Sequence, residues 1–94
     1  MSSVPMYSPV GNHTSRADLS AWKQLSIPAT ANAVLVQAID QNVRLSLNGP
    51  VSGALGFRIT AGADPLLIML GSADVRVQEE TATATLQYQF VKVH

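Results

Sequence analysis

Leu86, Tyr88 and Phe90 point one way along an extended chain, while Gln87 and Gln89 point the other. A period of two is the mark of a half-buried β-strand. The same alternation sets Val43, Leu45 and Leu47 against Arg44 and Ser46, and Leu55, Phe57 and Ile59 against Gly56, Arg58 and Thr60. Leu25 and Ile27 alternate with Gln24 and Ser26 until Pro28 closes the segment, and Val75 and Val77 flank Arg76. Residues 33–39 form a mostly apolar run, as expected of a strand covered on both faces, and residues 66–70 form a second. Turn-forming clusters separate these segments: Asp40-Gln41-Asn42, Asn48-Gly49-Pro50, residues 61–65 and residues 71–74. No helical period is longer than one turn. The pattern predicts an all-β chain: a single small antiparallel β-sandwich or jelly-roll-like barrel of about seven strands. Phe57, Tyr88 and Phe90 are expected in its core. Val91 and Val93 fall on the Gln face of the last strand, so that end is expected to be covered by something else.

Residues 1–21 show neither period. They hold Pro5, Pro9, Gly11 and many small polar residues, too little apolar surface to offset the entropy of ordering. Yet Val4, Met6, Tyr7 and Val10 form an apolar cluster that a plain linker does not need. The segment reads as an extended N-terminal arm that orders on a partner, or as a disordered tail. Ser15 to Ser20 could form one helical turn, with Ser15 as its cap. The domain proper is expected over residues 22–94, and removal of residues 1–21 is expected to leave it folded.

At 94 residues the chain is one domain with a thin core. Small domains are commonly reinforced by disulfides, a metal or oligomerisation. The sequence has no cysteine, and its two histidines, His13 and His94, lie near opposite ends. Oligomerisation is the remaining expectation, and no metal or cofactor is expected. Charged residues are 13% of the chain, about half the usual share, and six basic residues balance six acidic ones. Such a surface is either covered by neighbours, because uncharged proteins associate, or solvated by Ser, Thr, Gln and Asn.

Several functions lack their physical basis. No basic patch exists to neutralise phosphates, so nucleic acid is not an expected partner. Residues 66–70 are far too few to span a bilayer, and residues 1–5 lack the basic and apolar regions of a signal peptide. Catalysis is not expected. His13 and Asp18 lie in the arm, which lacks the rigid frame that a nucleophile and base require. Glu79 and Glu80 are adjacent, so on a strand they point to opposite faces and cannot share a substrate. Asp40, Asp64 and Asp74 each sit in a turn, one carboxylate per loop, too few for calcium. Gly49, Gly53 and Gly56 lack the Lys-Ser/Thr ending of a phosphate loop and read as a turn and a bulge.

The remaining candidates are contact residues. Arg44 and Arg58 are expected on outward faces of neighbouring strands, reaching a partner's carboxylates or simply solvated. Tyr7 and Trp22 are candidate interface anchors, since aromatic side chains dominate binding once desolvated. Trp22 could equally close one end of the sandwich. With Val4, Met6 and Val10 they complete the candidate interface set. A glycan site would need exposed aromatic platforms, and few aromatics are left for one.

Trp22-Lys23-Gln24-Leu25-Ser26-Ile27-Pro28-Ala29, then Ala33-Val34-Leu35-Val36-Gln37-Ala38, Gln41-Asn42-Val43-Arg44, Gly49-Pro50 and Gly56-Phe57-Arg58-Ile59-Thr60-Ala61-Gly62 resemble small β-sandwich virion proteins of tailed bacteriophages. The likeness runs from about Trp22 to Phe90. It implies a structural role: a capsid cement or decoration protein, or else a small head–tail or tail component. It also implies a homotrimer or ring, contact with the major capsid protein or other virion proteins, and residence in the virion after assembly in the host cytoplasm. A carbohydrate-binding adhesion module on a tail or fibre is the alternative. No catalytic residues come with the resemblance.

Overall fold

The computed structural model describes residues 7–47, 56–71, 73–80 and 82–94. Nine strands run β1 (Tyr7–Pro9), β2 (Thr14–Arg16), β3 (Lys23–Leu25), β4 (Ala33–Ala38), β5 (Val43–Leu47), β6 (Phe57–Ile59), β7 (Leu66–Met69), β8 (Val75–Glu79) and β9 (Leu86–Val93). No helix occurs among the described residues. The alternating segments read from the sequence appear as β3, β5, β6, β8 and β9, and the two apolar runs as β4 and β7. The turn at Asn48-Gly49-Pro50, the bulge at Gly53 and the residues Val4 and Met6 lie outside the described residues.

The strands pair as one long antiparallel hairpin folded over on itself. β2 pairs β9, β3 pairs β8, β4 pairs β7 and β5 pairs β6. Successive pairs alternate between two sheets. One sheet has the order β1-β9-β4-β7, with β2 also on β9; the other has the order β3-β8-β5-β6. This nesting is the strand order of a jelly roll. Strand partners are therefore far apart in sequence, and the corners between sheets need their own ties. Asn32 supplies one: its amide Nδ2 donates to Val93 O and its Oδ1 accepts from Val93 N–H, at 3.1 and 2.7 Å. Asn42 supplies another, its Oδ1 accepting from Ala61 N–H at 2.8 Å while its carbonyl accepts from Glu80 N–H.

The core lies between the sheets. Val34, Val36, Ala38, Leu86 and Phe90 come from one side and Leu25, Val43, Leu45, Val75 and Val77 from the other. All belong to the period-two pattern. Tyr88 packs edge-on against Phe90, ring centres 5.7 Å apart. Leu19 and Ala84, from connecting segments, close the ends and are fully buried.

Four expectations change. The chain before Trp22 is not separate from the sandwich: Tyr7–Pro9 pairs with Val91–Val93 and Thr14–Arg16 with Leu86–Tyr88. Three-residue strands need no periodicity of their own when a long strand supplies the ladder. Thr14–Arg16 is extended, not the helical turn expected over residues 15–20. The strand count rises to nine for the same reason. Phe57, expected in the core, is 72% exposed. It shares the face of Leu45, but β6 is an edge strand, and at its start the opposite sheet no longer covers it. Val91, by contrast, is buried, flanked on its own face by Ala33 of β4 and Pro9 of β1.

Leu19→Ala should cost about 2–5 kcal/mol, because a fully buried leucine leaves a cavity. That is a large share of the ~5–15 kcal/mol typical of whole domains. Urea titration followed by circular dichroism checks it, and a loss below about 0.5 kcal/mol would show that residues before Trp22 do not belong to the cooperative unit.

Candidate functional site

Period-two alternation places different chemistry on the two outer faces. On the sheet β3-β8-β5-β6 the outward positions are Gln24, Arg76, Gln78, Arg44, Ser46 and Arg58. On the other sheet they are Ala33, Leu35 and Gln37 of β4, Leu67 and Met69 of β7, and Gln87, Gln89, Val91 and Val93 of β9. The first face holds three arginines. The second carries no charge at any of these positions.

The arginine face is self-satisfied. Arg44 and Arg58 sit directly opposite each other on β5 and β6, two like charges side by side. Glu80, at the end of β8, lies against both. Arg58 donates to it in a fork, Nε to Oε2 at 2.7 Å and Nη2 to Oε1 at 2.6 Å, and Arg44 Nη2 lies 3.6 Å from Oε1. A bidentate guanidinium–carboxylate pair is the strongest form of this contact. The Arg58 hydrogen bonds hold the Glu80 carboxyl below the usual carboxylate range, and Arg58 is raised in turn. Glu80 thus neutralises the pair that the sequence marked as contact residues. Asp18 is likewise pulled down to about 2 by hydrogen bonds from Arg16.

The uncharged face carries a shallow open depression of about 200 Å³ between β4 and β9. His13, Leu35, Gln37, Pro65, Gln87 and Gln89 line it. Its polar groups are partly committed: Gln89 Nε2 donates to Gly11 O at 3.0 Å and Gln37 Nε2 to Ala63 O at 3.2 Å. Turning those amides toward main-chain carbonyls leaves apolar side-chain stems toward the depression. Beside it β7 ends the sheet, with Leu66 50% and Met69 56% exposed. Exposed Phe57 lies on β6, the corresponding edge of the second sheet.

The candidate interface residues do not form one cluster. Tyr7 is 46% exposed beside Val93, at the β1 edge. Val10 packs against the core, its N–H donating to Phe90 O at 2.8 Å, so it is not a free anchor. Trp22 is half-buried, its ring tip 3.3 Å from where a side chain on Gly56 would begin. Gly56 has φ +105° and its missing Cβ would lie 3.1 Å from Leu45 O, so this glycine is required by its backbone and by close packing. The Trp22 indole N–H is buried and has no acceptor among the described residues.

Leu66, Met69 and Phe57 were not singled out from the sequence. Alternation tells which way a side chain points, and it carries no signal for which strands become edges. Ser8 Oγ and His94 Nε2 are 3.0 Å apart, but at the exposed ends of β1 and β9 rather than in a cleft. Among the described residues no three His, Cys, Asp or Glu side chains come together in a way that could hold a metal.

Glu80 has a folded-state pKa below its ordinary value of 4.5, so its stabilising contribution is fully present above pH 4.5 and is lost as pH falls through the folded value. Glu80→Gln should lower the urea midpoint at pH 7 and flatten its decline below pH 4.5. Parallel acid profiles of the two proteins would show that the fork contributes nothing. No family model, curated protein or solved structure matches the chain.

Proposed function

We propose that the protein is a non-catalytic structural component of a tailed-bacteriophage virion, a capsid cement or decoration protein that docks on the coat. The carrying observation is the uncharged outer face of β9, β4 and β7, which includes the exposed Met69. A charge-free face that mixes apolar side chains with glutamines, in a chain of zero net charge, is a surface suited to being covered. Two of the three arginines on the opposite face, Arg44 and Arg58, are held by the chain's own Glu80, and that side is polar. The jelly-roll order is compatible, since capsid domains use it, but the fold also serves lectins and does not decide function.

Mechanistically, each copy would lay this face on coat protein. Individual contacts would be modest, and symmetry would multiply them over the shell. Tyr7 and Trp22 remain contact candidates at the periphery, and Val4 and Met6 are carried from the sequence reading alone. A small head–tail or tail component is the nearest alternative and would use the same face. A glycan-binding adhesion module is supported by the depression beside His13 and weakened by the committed amides of Gln37 and Gln89.

The test is the position and copy number of the protein in intact particles of the virus that encodes it. Hundreds of copies on the head are expected; six or twelve would move it to the tail or neck, and absence from particles would overturn the reading. Leu35→Lys, a charge at the centre of the face, should leave a folded protein that no longer joins particles. Normal incorporation of that variant would reject the face as the docking surface.

A further inference from the structure

Every edge strand except one carries a device against pairing. β1 contains Pro9, β2 ends in Arg16, β3 begins with Lys23 and β6 has Arg58 at its centre. Charges and prolines at edges are how natural sheets avoid pairing with other chains. β7, Leu66-Leu67-Ile68-Met69, has neither, and it ends its sheet among the described residues. Its exposed side chains, Leu66 and Met69, are also among the largest apolar groups left open to solvent.

We infer that β7 is a pairing edge whose partner is β7 of a second copy, joined antiparallel across a two-fold axis. This goes beyond the virion reading and stands independently of it. It differs from the trimer or ring that the resemblance implies.

The backbone of β7 selects the register. Leu70 N–H donates to Asn32 O at 2.9 Å, toward β4. Main-chain groups alternate along a strand, so Leu66 and Ile68 also turn toward β4, while Leu67 and Met69 turn to the free edge. Pro65 falls on the free-edge side, where its missing N–H costs the β4 ladder nothing. A two-fold axis through Ile68 sets Leu67 opposite Met69 of the second copy and Met69 opposite its Leu67. Each such pair exchanges both of its hydrogen bonds. An axis through Leu67 would set Met69 against Pro65, which has no N–H to give. An axis through Met69 would set Leu67 against Gly71, whose φ of +57° takes it out of the extended strand, so the Ile68 register is the one that satisfies the edge.

Charge chooses the occupant. In a two-fold contact a strand meets its own sequence, so a charged strand would bring two like charges close together in one ladder. β3 or β6 paired with itself would bring Lys23 or Arg58 together; β7 brings only Leu, Ile and Met. A neutral edge is complementary to itself; the other uncharged edge, β1, does not suit a head-to-tail contact, because Val10 N–H donates to Phe90 O and alternation then turns Pro9, which has no N–H, to its free side. The pairing would cover Met69 with Leu67 on the outer face and Leu66 with Leu70 on the inner one.

The full chain at micromolar concentration should have the mass of a dimer by sedimentation equilibrium, and Met69→Lys, at an exposed position, should convert it to a folded monomer. The sequence has no cysteine, so single substitutions report register cleanly. Ile68→Cys, on the axis, should form a covalent dimer under mild oxidation. Leu66→Cys should not, because its two copies lie well apart. A native monomer, a trimer or larger ring, or a dimer that persists in Met69→Lys would overturn the proposal. So would equal crosslinking at positions 66 and 68.

Discussion

The molecule depends on the pairing of β9 along both of its sides. On one side it meets β4 over six residue pairs from Ala33–Val91 to Ala38–Leu86, and on the other it meets β1 and β2. It thereby joins the beginning, middle and end of the chain in one sheet. Its inward residues, Leu86, Tyr88 and Phe90, provide much of the core from that sheet. Its outward residues Gln87 and Gln89 lie at the centre of the uncharged face. One strand fixes the core on one side and the candidate docking surface on the other.

Charge is sorted by sheet rather than spread evenly. Arg44, Arg58 and Arg76 share one outer face, and Glu80 sits where it can neutralise two of them. A carboxylate between opposed arginines lets β5 and β6 lie side by side despite their like charges. On the opposite sheet Arg16 and Lys92 take the alternate positions, so the outward positions of β4, β7 and β9 carry no charge. The proposed docking face and the arginine cluster are two results of one economy of charge.

What the sequence revealed follows from what a period of two encodes. β5, β8 and β9 were legible because each has one face in the core, and burial demands alternation there; β4 was legible as an apolar run, its outward Leu35 and Gln37 being half-buried. β1 and β2 were not legible: Tyr7-Ser8-Pro9 and Thr14-Ser15-Arg16 bury little and borrow their hydrogen bonds from β9. Phe57 was misplaced for a related reason. Its position in the alternation is inward, but whether an inward residue is covered depends on which strand lies across from it. Arg44 and Arg58 were found as outward neighbours, while their partner Glu80 was hidden because the β5–β8 register brings it there from far along the chain. The sequence therefore exposed the core side of the candidate surface and left its edges unread.

The nested strand order also bears on how the chain is made. Synthesis proceeds from the N-terminus, and domains ordinarily fold as they emerge. Here β2 and β3 have their mates in β9 and β8, which are translated well after them, and β4 gains its second neighbour only with β9. The β5–β6 and β4–β7 pairs join segments closer together in the chain and can close first. Until β8 and β9 emerge, the neutral edge of β7 and the unroofed side of β4 are open to whatever apolar strands are nearby. For such a chain, dilution or a chaperone during that interval would govern yield more than the stability of the finished fold.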